Sequence, residues 1–335
     1  MENKNRIAWL DAARGLGIAM VYLGHFGQEA GMSYDFVFQF HVPLFFFLAG
    51  CTGTLHRRPP KEAFRRAAER LLIPYLFFGV IYLAALVIVQ DSTEGMGGQL
   101  RIFLTGATRN QFAAGSLWFL TCLWVMETVN IAVSRLNPWL RVAVAAGLYA
   151  LAVKALPANP MFTPQWPMNV DSAMGYFLYY TLGAVLFRGV EALFRAESVR
   201  GKAALHGAGA LSLAYAAFVM LTHARDHVRW YLNVPGYDLA GTVLHTSILI
   251  FAALYAARWL QGCRPLRETG QDTLYLCGCE DLLRMTVPMA LRTFGLGITI
   301  VNPFSAMVYA AALIALARRT AVPLEKKILE RVMKR

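Results

Sequence analysis

Apolar and polar positions in this chain come in blocks. Near-continuous hydrophobic runs of about 17 to 25 residues, long enough to carry an α-helix across a bilayer, are separated by short polar loops. Ten runs fall at about 6–26, 36–55, 71–90, 115–134, 140–156, 172–190, 203–222, 237–257, 273–291 and 296–317. They predict an all-α, polytopic integral membrane protein of about ten transmembrane helices. An outer-membrane barrel, built of short strands with strict alternation, is excluded. No low-complexity stretch, soluble extension or internal repeat breaks the series, so residues 1–335 read as one membrane-embedded domain.

The first run, RIAWLDAARGLGIAMVYLGHF, breaks its own pattern with Asp11, Arg14 and His25. An ionisable residue in a bilayer costs about 2.5–3.5 kcal/mol or more, so three in one span mark a functional site. Arg14 and His25 are eleven positions apart, which at 3.6 residues per turn returns both to within about 20° of one face and about 16 Å apart along the axis. Asp11 falls about 60° from Arg14 on the same side. A polar stripe therefore runs along the helix. The two charges also argue against a cleaved signal peptide, whose central region should be apolar, and the run reads as a permanent span.

Composition supports the membrane reading: 57% of residues are hydrophobic and 16% charged, against about 25% charged in a typical soluble domain. The net charge of +12 is explained by location. With both termini in the cytoplasm, twenty-four of the thirty-two basic residues lie on the inner side, including Lys4, Arg6, Arg135, Arg141 and seven from Arg318 to Arg335. Outside, there remain Arg101, Arg109, Lys154, Arg225, Arg229 and Arg292. This is the positive-inside asymmetry, and no nucleic-acid partner is implied. The five cysteines have no metal-ligand spacing; Cys277 and Cys279 point to different faces of a helix, and no metal is expected.

One basic cluster exceeds what orientation requires. HRRPPKEAFRRAAERLLIPY, residues 56–75, opens with Pro59 and Pro60 and continues as a short helix leading into the membrane, with Arg66 and Arg70 sharing a face. Besides anchoring the topology, Arg65, Arg66 and Arg70 suit a cytoplasmic polyanion. Guanidinium forks bind phosphate, and coenzyme A carries a pyrophosphate and a further phosphate. The outer loops are instead rich in aromatics, Pro, Asn and Gln. Their rings are interfacial anchors first, yet with Asp35, Asp171, Asp226 and Asp238 they suit a cavity for a sugar. His41, at the outer start of the second run, lies about fifteen residues from His25, so a helical hairpin would bring the two imidazoles together as a proton-transfer site.

Four motifs in order carry a family resemblance: RGLGIAMVYLGH, FHVPLFFFLAG, FRRAAERLLIPY and, further on, GSLWFL at 115–120. With QWPMNVDSAMGYFLYYTLGA at 165–184 and ETGQDTLYL at 268–276, the chain resembles the acyltransferase-3 superfamily of membrane acyltransferases, in the branch typified by fucose 4-O-acetylase-like proteins. The resemblance covers nearly the whole chain. It implies an acyl-CoA-dependent O-acyltransferase of the bacterial cytoplasmic (inner) membrane. Such an enzyme takes an acyl group, with acetyl favoured and acetyl-CoA then the co-substrate, to a hydroxyl of a carbohydrate or glycan on the outer side. His25 matches the general base, with Arg14 and His41 completing the expected catalytic set. Arg65, Arg66 and Arg70 are the expected donor contacts, although the cluster reads RRAAER where the family often has Arg-x-x-Arg. Asp11, Asp35, Trp118 and Asp171 are the expected acceptor contacts. Glu280, in LCGCEDLL, stands where the branch often has His.

A secondary transporter or exporter of a glycan or amphiphile would use the same intramembrane charges. The basic loop discriminates, since a proton-coupled exporter needs no coenzyme A phosphate site. A sensing protein with an inactive core is a third reading, with Glu280 as its one supporting feature.

Overall fold

A computed structural model describes residues 6–53, 59–90, 95–112, 114–156, 165–222 and 239–333, all helix, turn or loop, with no strand among the described residues. Several expected features, Arg57, Arg58, Arg225, Asp226, Arg229 and Asp238, lie outside them. The first run forms α1 (Ala8–Gly24), with His25 as its C-terminal cap rather than its last turn. The His25 N–H still bonds the Val21 carbonyl at 3.1 Å, so the helical register reaches it. The connection to the second run is not an open loop. It holds a 3-10 turn (Gly27–Ala30) and α2 (Met32–Phe38), after which α3 (His41–Gly53) begins on His41 itself.

The remaining helices follow as α4 (Pro60–Gln90), α5 (Met96–Thr105), α6 (Trp118–Val133), α7 (Pro138–Lys154), α8 (Val170–Phe194), α9 (Val199–Thr222) and α10 (Ala240–Leu260). Then come α11 (Arg264–Gln271), α12 (Thr273–Thr293), α13 (Pro303–Arg319) and α14 (Ala321–Met333). A helix lies on each of the ten expected runs. By length and apolar composition, five stretches are able to cross a membrane: Met32–Gly53, Pro60–Ile88, Pro167–Phe194, Val199–Thr222 and Ala240–Leu260. Pro303–Arg319 with Ala321–Met333 makes a sixth if the two form one broken span. The larger number expected from hydropathy also includes α1, α6 and α7, which are only 17, 16 and 17 residues long. It includes α12 too, which carries Glu280, Asp281, Arg284 and Arg292. The basic run 61–70 is continuous with its span, because α4 starts at Pro60 and runs through Pro74 for 31 residues. Pro74 has no N–H for the Arg70 carbonyl and thereby leaves that end of the helix one bond short.

The chain packs as two units. One comprises Met1–Cys51, Val185–Thr273 and Ile298–Arg318; the other Thr52–Ala184, Leu274–Gly297 and Arg319–Arg335. In the first, α1 is central, with α2, α10 and α11 against it. Trp9 meets Phe194 edge-on at 5.0 Å, and Leu10, Ile18 and Tyr22 are buried. The tightest approach is backbone on backbone. A Cβ on Gly15 would strike the Leu266 carbonyl oxygen and one on Gly270 the Asp11 carbonyl oxygen, so two glycines let α1 and α11 lie directly against each other. Arg318 of α13 closes the other side of α11, giving Nη2 to Glu268 at 2.8 Å and Nε to Asp272 at 3.1 Å. In the second unit α4 packs on α6 and α5. Phe103 and Phe112 stack at 5.7 Å, Tyr75 stacks on Phe103, and Gly79 admits the Phe103 ring. Exposed apolar side chains such as Leu76, Val80 and Ile88 on α4 and Leu211, Phe218 and Leu221 on α9 are the surface a bilayer would cover.

Two outcomes follow for the α1–α11 contact. Gly270→Ala sets a methyl against backbone that has no rotamer to yield, and should cost about 1–3 kcal/mol, read as a lowered thermal midpoint of the detergent-purified protein. The hydrogen bonds from Arg318 and then Arg264 hold the Glu268 carboxyl below its ordinary value of 4.5. That contribution is full above 4.5 and is lost as pH falls through the lower folded value. The thermal midpoint should therefore drop more between pH 6 and about pH 3.5 in the wild type than in Glu268→Gln; equal drops would refute the assignment.

Candidate functional site

The polar stripe expected on the first run exists, and its first element is an ion pair. Arg14 Nη1 lies 3.6 Å from Asp11 Oδ1, one turn away on α1, with Asp11 buried and the Arg14 side chain 28% exposed. Arg6 stands 3.7 Å from the second Asp11 oxygen, and Gln271 at the end of α11 donates to that oxygen at 3.1 Å. Asp11, expected as an acceptor contact, thus spends its carboxylate on Arg14, Arg6 and Gln271. The glycine contact puts Gln271 beside Asp11, and the ETGQD segment lies against the α1 backbone on either side of Arg14, at Asp11 and Gly15. Arg14 also lies within electrostatic reach of the Cys51 thiol on α3. The stripe ends at His25, half-buried on the cap of α1.

The second histidine is fixed locally. His41 is buried and its Nδ1 donates to the Val37 carbonyl at 2.6 Å, while its ring meets Phe38 edge-on at 4.9 Å. A neutral His41 therefore keeps Nε2 as the accepting nitrogen. Asp35, six positions earlier on α2, is also buried. Two positions before His41, Gln39 accepts from the buried His245 of α10 at 2.8 Å, and the other His245 nitrogen meets the Tyr215 hydroxyl of α9 at 2.7 Å. Thr246 donates to the Gln39 carbonyl at 3.4 Å. Sequence reasoning missed this chain of Tyr215, His245 and Gln39. A histidine inside an apolar run was its only local signal, and its partners are 30 and 206 positions away.

The other expected residues belong to the second unit. On α4, Arg65 pairs with Glu69 at 3.6 Å and Arg66 with Glu62 at 3.1 Å, both on the helix surface. Arg70 reaches instead to Glu127 of α6, whose side chain is 14% exposed. The expected set thus divides into two surface pairs and one pair between helices. Trp118 is buried, and the guanidinium of Arg109 covers its ring at 4.4 Å. Arg109 donates to Ser172 Oγ at 3.1 Å and to the Tyr176 hydroxyl at 3.0 Å. Its backbone N–H donates to Asn169 Oδ1 at 3.2 Å. Asn169, at φ 53°, donates to the Gly106 carbonyl and to Thr121 Oγ1, both at 2.7 Å. These bonds pin the 106–118 loop to the start of α8. Asp171 accepts from the N–H groups of Gln165, Trp166 and Ser172 at 2.6, 3.1 and 2.7 Å, an anchor for the entry to the same helix.

The GSLWFL motif also has a partner that the sequence did not reveal. Ser116 Oγ donates to the Cys277 carbonyl at 2.7 Å, and its N–H to Asp281 Oδ2 at 3.3 Å. Arg284 donates to the other Asp281 oxygen at 2.8 Å and stands 3.6 Å from Glu280. Both carboxylates are buried, Glu280 at 1% and Asp281 at 4% exposure. Glu280 and Asp281 thus both face Arg284 on α12, where hydropathy anticipated a plain span.

A family model described as an acyltransferase domain, that of acyltransferase-3, matches residues 7–317. Comparison with curated proteins returns no match, and neither does comparison with solved structures. The match takes in α1 with its Asp11–Arg14 pair, the arginines of α4, the Ser116 loop and α11. The chain belongs to the acyltransferase-3 family of membrane acyltransferases.

Proposed function

We propose that this acyltransferase moves an acyl group, acetyl by preference, from acyl-CoA on the cytoplasmic side to a hydroxyl of a carbohydrate or glycan on the outer side. In this reading it stands in the fucose 4-O-acetylase-like branch, in the cytoplasmic membrane of a bacterium, with ten spans and both termini inside. The observation that carries the reading is the geometry of α1. One helix holds a guanidinium fixed by Asp11 at one end and an imidazole on its cap about 16 Å further along. Two ends of one transfer path need those two groups.

The chemistry then runs as follows. His25 takes the proton of the acceptor hydroxyl as its oxygen forms a bond to the thioester carbonyl carbon. The tetrahedral oxyanion collapses, the carbon–sulfur bond breaks, and the departing thiolate recovers a proton from the imidazolium. The products are the O-acyl acceptor and free coenzyme A. Arg14, three helical turns inward of His25, holds the phosphopantetheine arm. Asp11 and Gln271 position Arg14 rather than touch the acceptor, and His41 offers Nε2 beside the acceptor side of α3. The arginines of α4 meet the phosphates. No metal is needed at any step, since the thiolate is already a good leaving group.

The test is transfer or hydrolysis of radiolabelled acetyl-CoA by the purified protein in proteoliposomes. His25→Ala should lower turnover about 100-fold or more with insertion into the membrane unchanged. Retained turnover in that variant would refute His25 as the base. Absence of any turnover or binding of acetyl-CoA by the wild type would refute the donor.

A further inference from the structure

In the second unit, one face of α6 presents two polar side chains to two arginines. Glu127 and Asn130 are three positions apart and therefore neighbours on that face. Arg70 of α4 gives its Nη2 to both oxygens of Glu127, at 2.5 and 2.6 Å. Arg141, near the start of α7, gives its Nη2 to Asn130 Oδ1 at 2.9 Å. Each contact uses one corner of a guanidinium. Among the described residues, Nε and Nη1 of Arg70 have no hydrogen-bond partner, and Nε of Arg141 is buried without one. The Tyr180 hydroxyl of α8 lies within electrostatic reach of Glu127, Arg70 and Arg141 together.

The balance of charge is uneven. Two guanidinium groups face one carboxylate, because Arg141 is met by a neutral amide. A purely structural Arg141 would be expected to find a carboxylate or to turn its head to water. Here it is held at one corner by Asn130, while Arg70, its side chain 58% exposed, is held at one corner by Glu127 about one turn away on the same helix with its other edge open. The matching ligand is an oxyanion that accepts from both, and phosphate does this best. Arg65 and Arg66 lack this arrangement, being paired along their own helix surface.

We propose that Arg141 and Arg70 together bind one phosphate group, with Glu127 and Asn130 setting the two guanidinium groups for it. The proposal rests on the acyl-CoA reading above and deepens it, naming Arg141, which orientation alone had explained, as a donor contact. Both arginines lie on the side that the distribution of basic residues assigns to the cytoplasm. A phosphate there belongs to the coenzyme A moiety or to a lipid headgroup of the inner leaflet, and the same site chemistry serves either.

Calorimetric titration separates these. The full chain, purified in the phosphate-free detergent dodecyl maltoside, is titrated with coenzyme A and, separately, with phosphatidylglycerol. Arg141→Gln should weaken coenzyme A binding about tenfold or more. Arg135→Gln, an exposed inner-side arginine outside the cluster, should leave it unchanged. Arg141→Lys, which keeps the charge without the planar fork, should also weaken it, and decides the matter if the Gln variant shows a collapsed thermal transition. Unchanged coenzyme A binding with lost phosphatidylglycerol binding would support the phosphate site and assign it to lipid. Arg141 variants that bind both ligands as the wild type does would overturn the proposal. Should the wild type bind no coenzyme A, the acyl-CoA reading falls, and the lipid titration alone decides whether the phosphate site stands.

Discussion

A carboxylate and a guanidinium placed one turn apart in an otherwise apolar helix can persist only as a pair. Asp11 and Arg14 meet at 3.6 Å, so each offsets part of the other's cost in α1. The pair alone is not enough, since a carboxylate has further acceptor positions to satisfy. Arg6 and Gln271 take them, and Gln271 reaches Asp11 only because Gly15 and Gly270 let α11 lie against α1. Arg318 in turn holds α11 in place through Glu268 and Asp272. A requirement for charge balance at one residue thus fixes the packing of three helices.

The same logic accounts for the second unit. Arg109 is almost entirely buried, and such a cation needs its whole donor set engaged. Ring faces on Trp118 and Tyr176, the Ser172 hydroxyl and the Tyr176 hydroxyl all converge on it. The loop before α6 acquires a defined shape as a result, and Ser116 is delivered to Asp281 on α12. The polar residues of this family motif therefore build the scaffold around the aromatic positions first. Trp118, with one face covered by Arg109, is set by its neighbours.

The helical class, the polar stripe and the basic start of α4 were legible because each is written in local pattern: run length, period and charge density. Helix limits were less so. Hydropathy reads α2 as loop because MSYDFVF mixes polar and apolar positions, and it misses α11 because RPLRETGQ is polar throughout. The structural partners of Asp11, Trp118 and Asp171 were not legible for a different reason. Residue type announces that a carboxylate or ring is costly to bury, but what satisfies it is a partner brought by tertiary packing, up to 260 positions away for Asp11 and Gln271. His245 and Arg141 were overlooked on the same account, one passing as part of an apolar run and the other as part of the inner-side charge.

That distinction bears on how the arginines of the inner side should be ranked. Positive-inside charge is a statistical property of loops and asks nothing of geometry, so any lysine or arginine satisfies it. A guanidinium clamped at one corner by a residue of another helix has paid part of its ordering entropy in advance and is preorganised for whatever meets its open edge. Arg65 and Arg66 move with α4 and with their own carboxylates. Arg70 and Arg141 are each tied to α6, a turn apart, which fixes the spacing between their open edges. Specific recognition of a phosphate needs fixed spacing more than it needs charge, so the two arginines bound to α6 are a better receptor than Arg65 and Arg66.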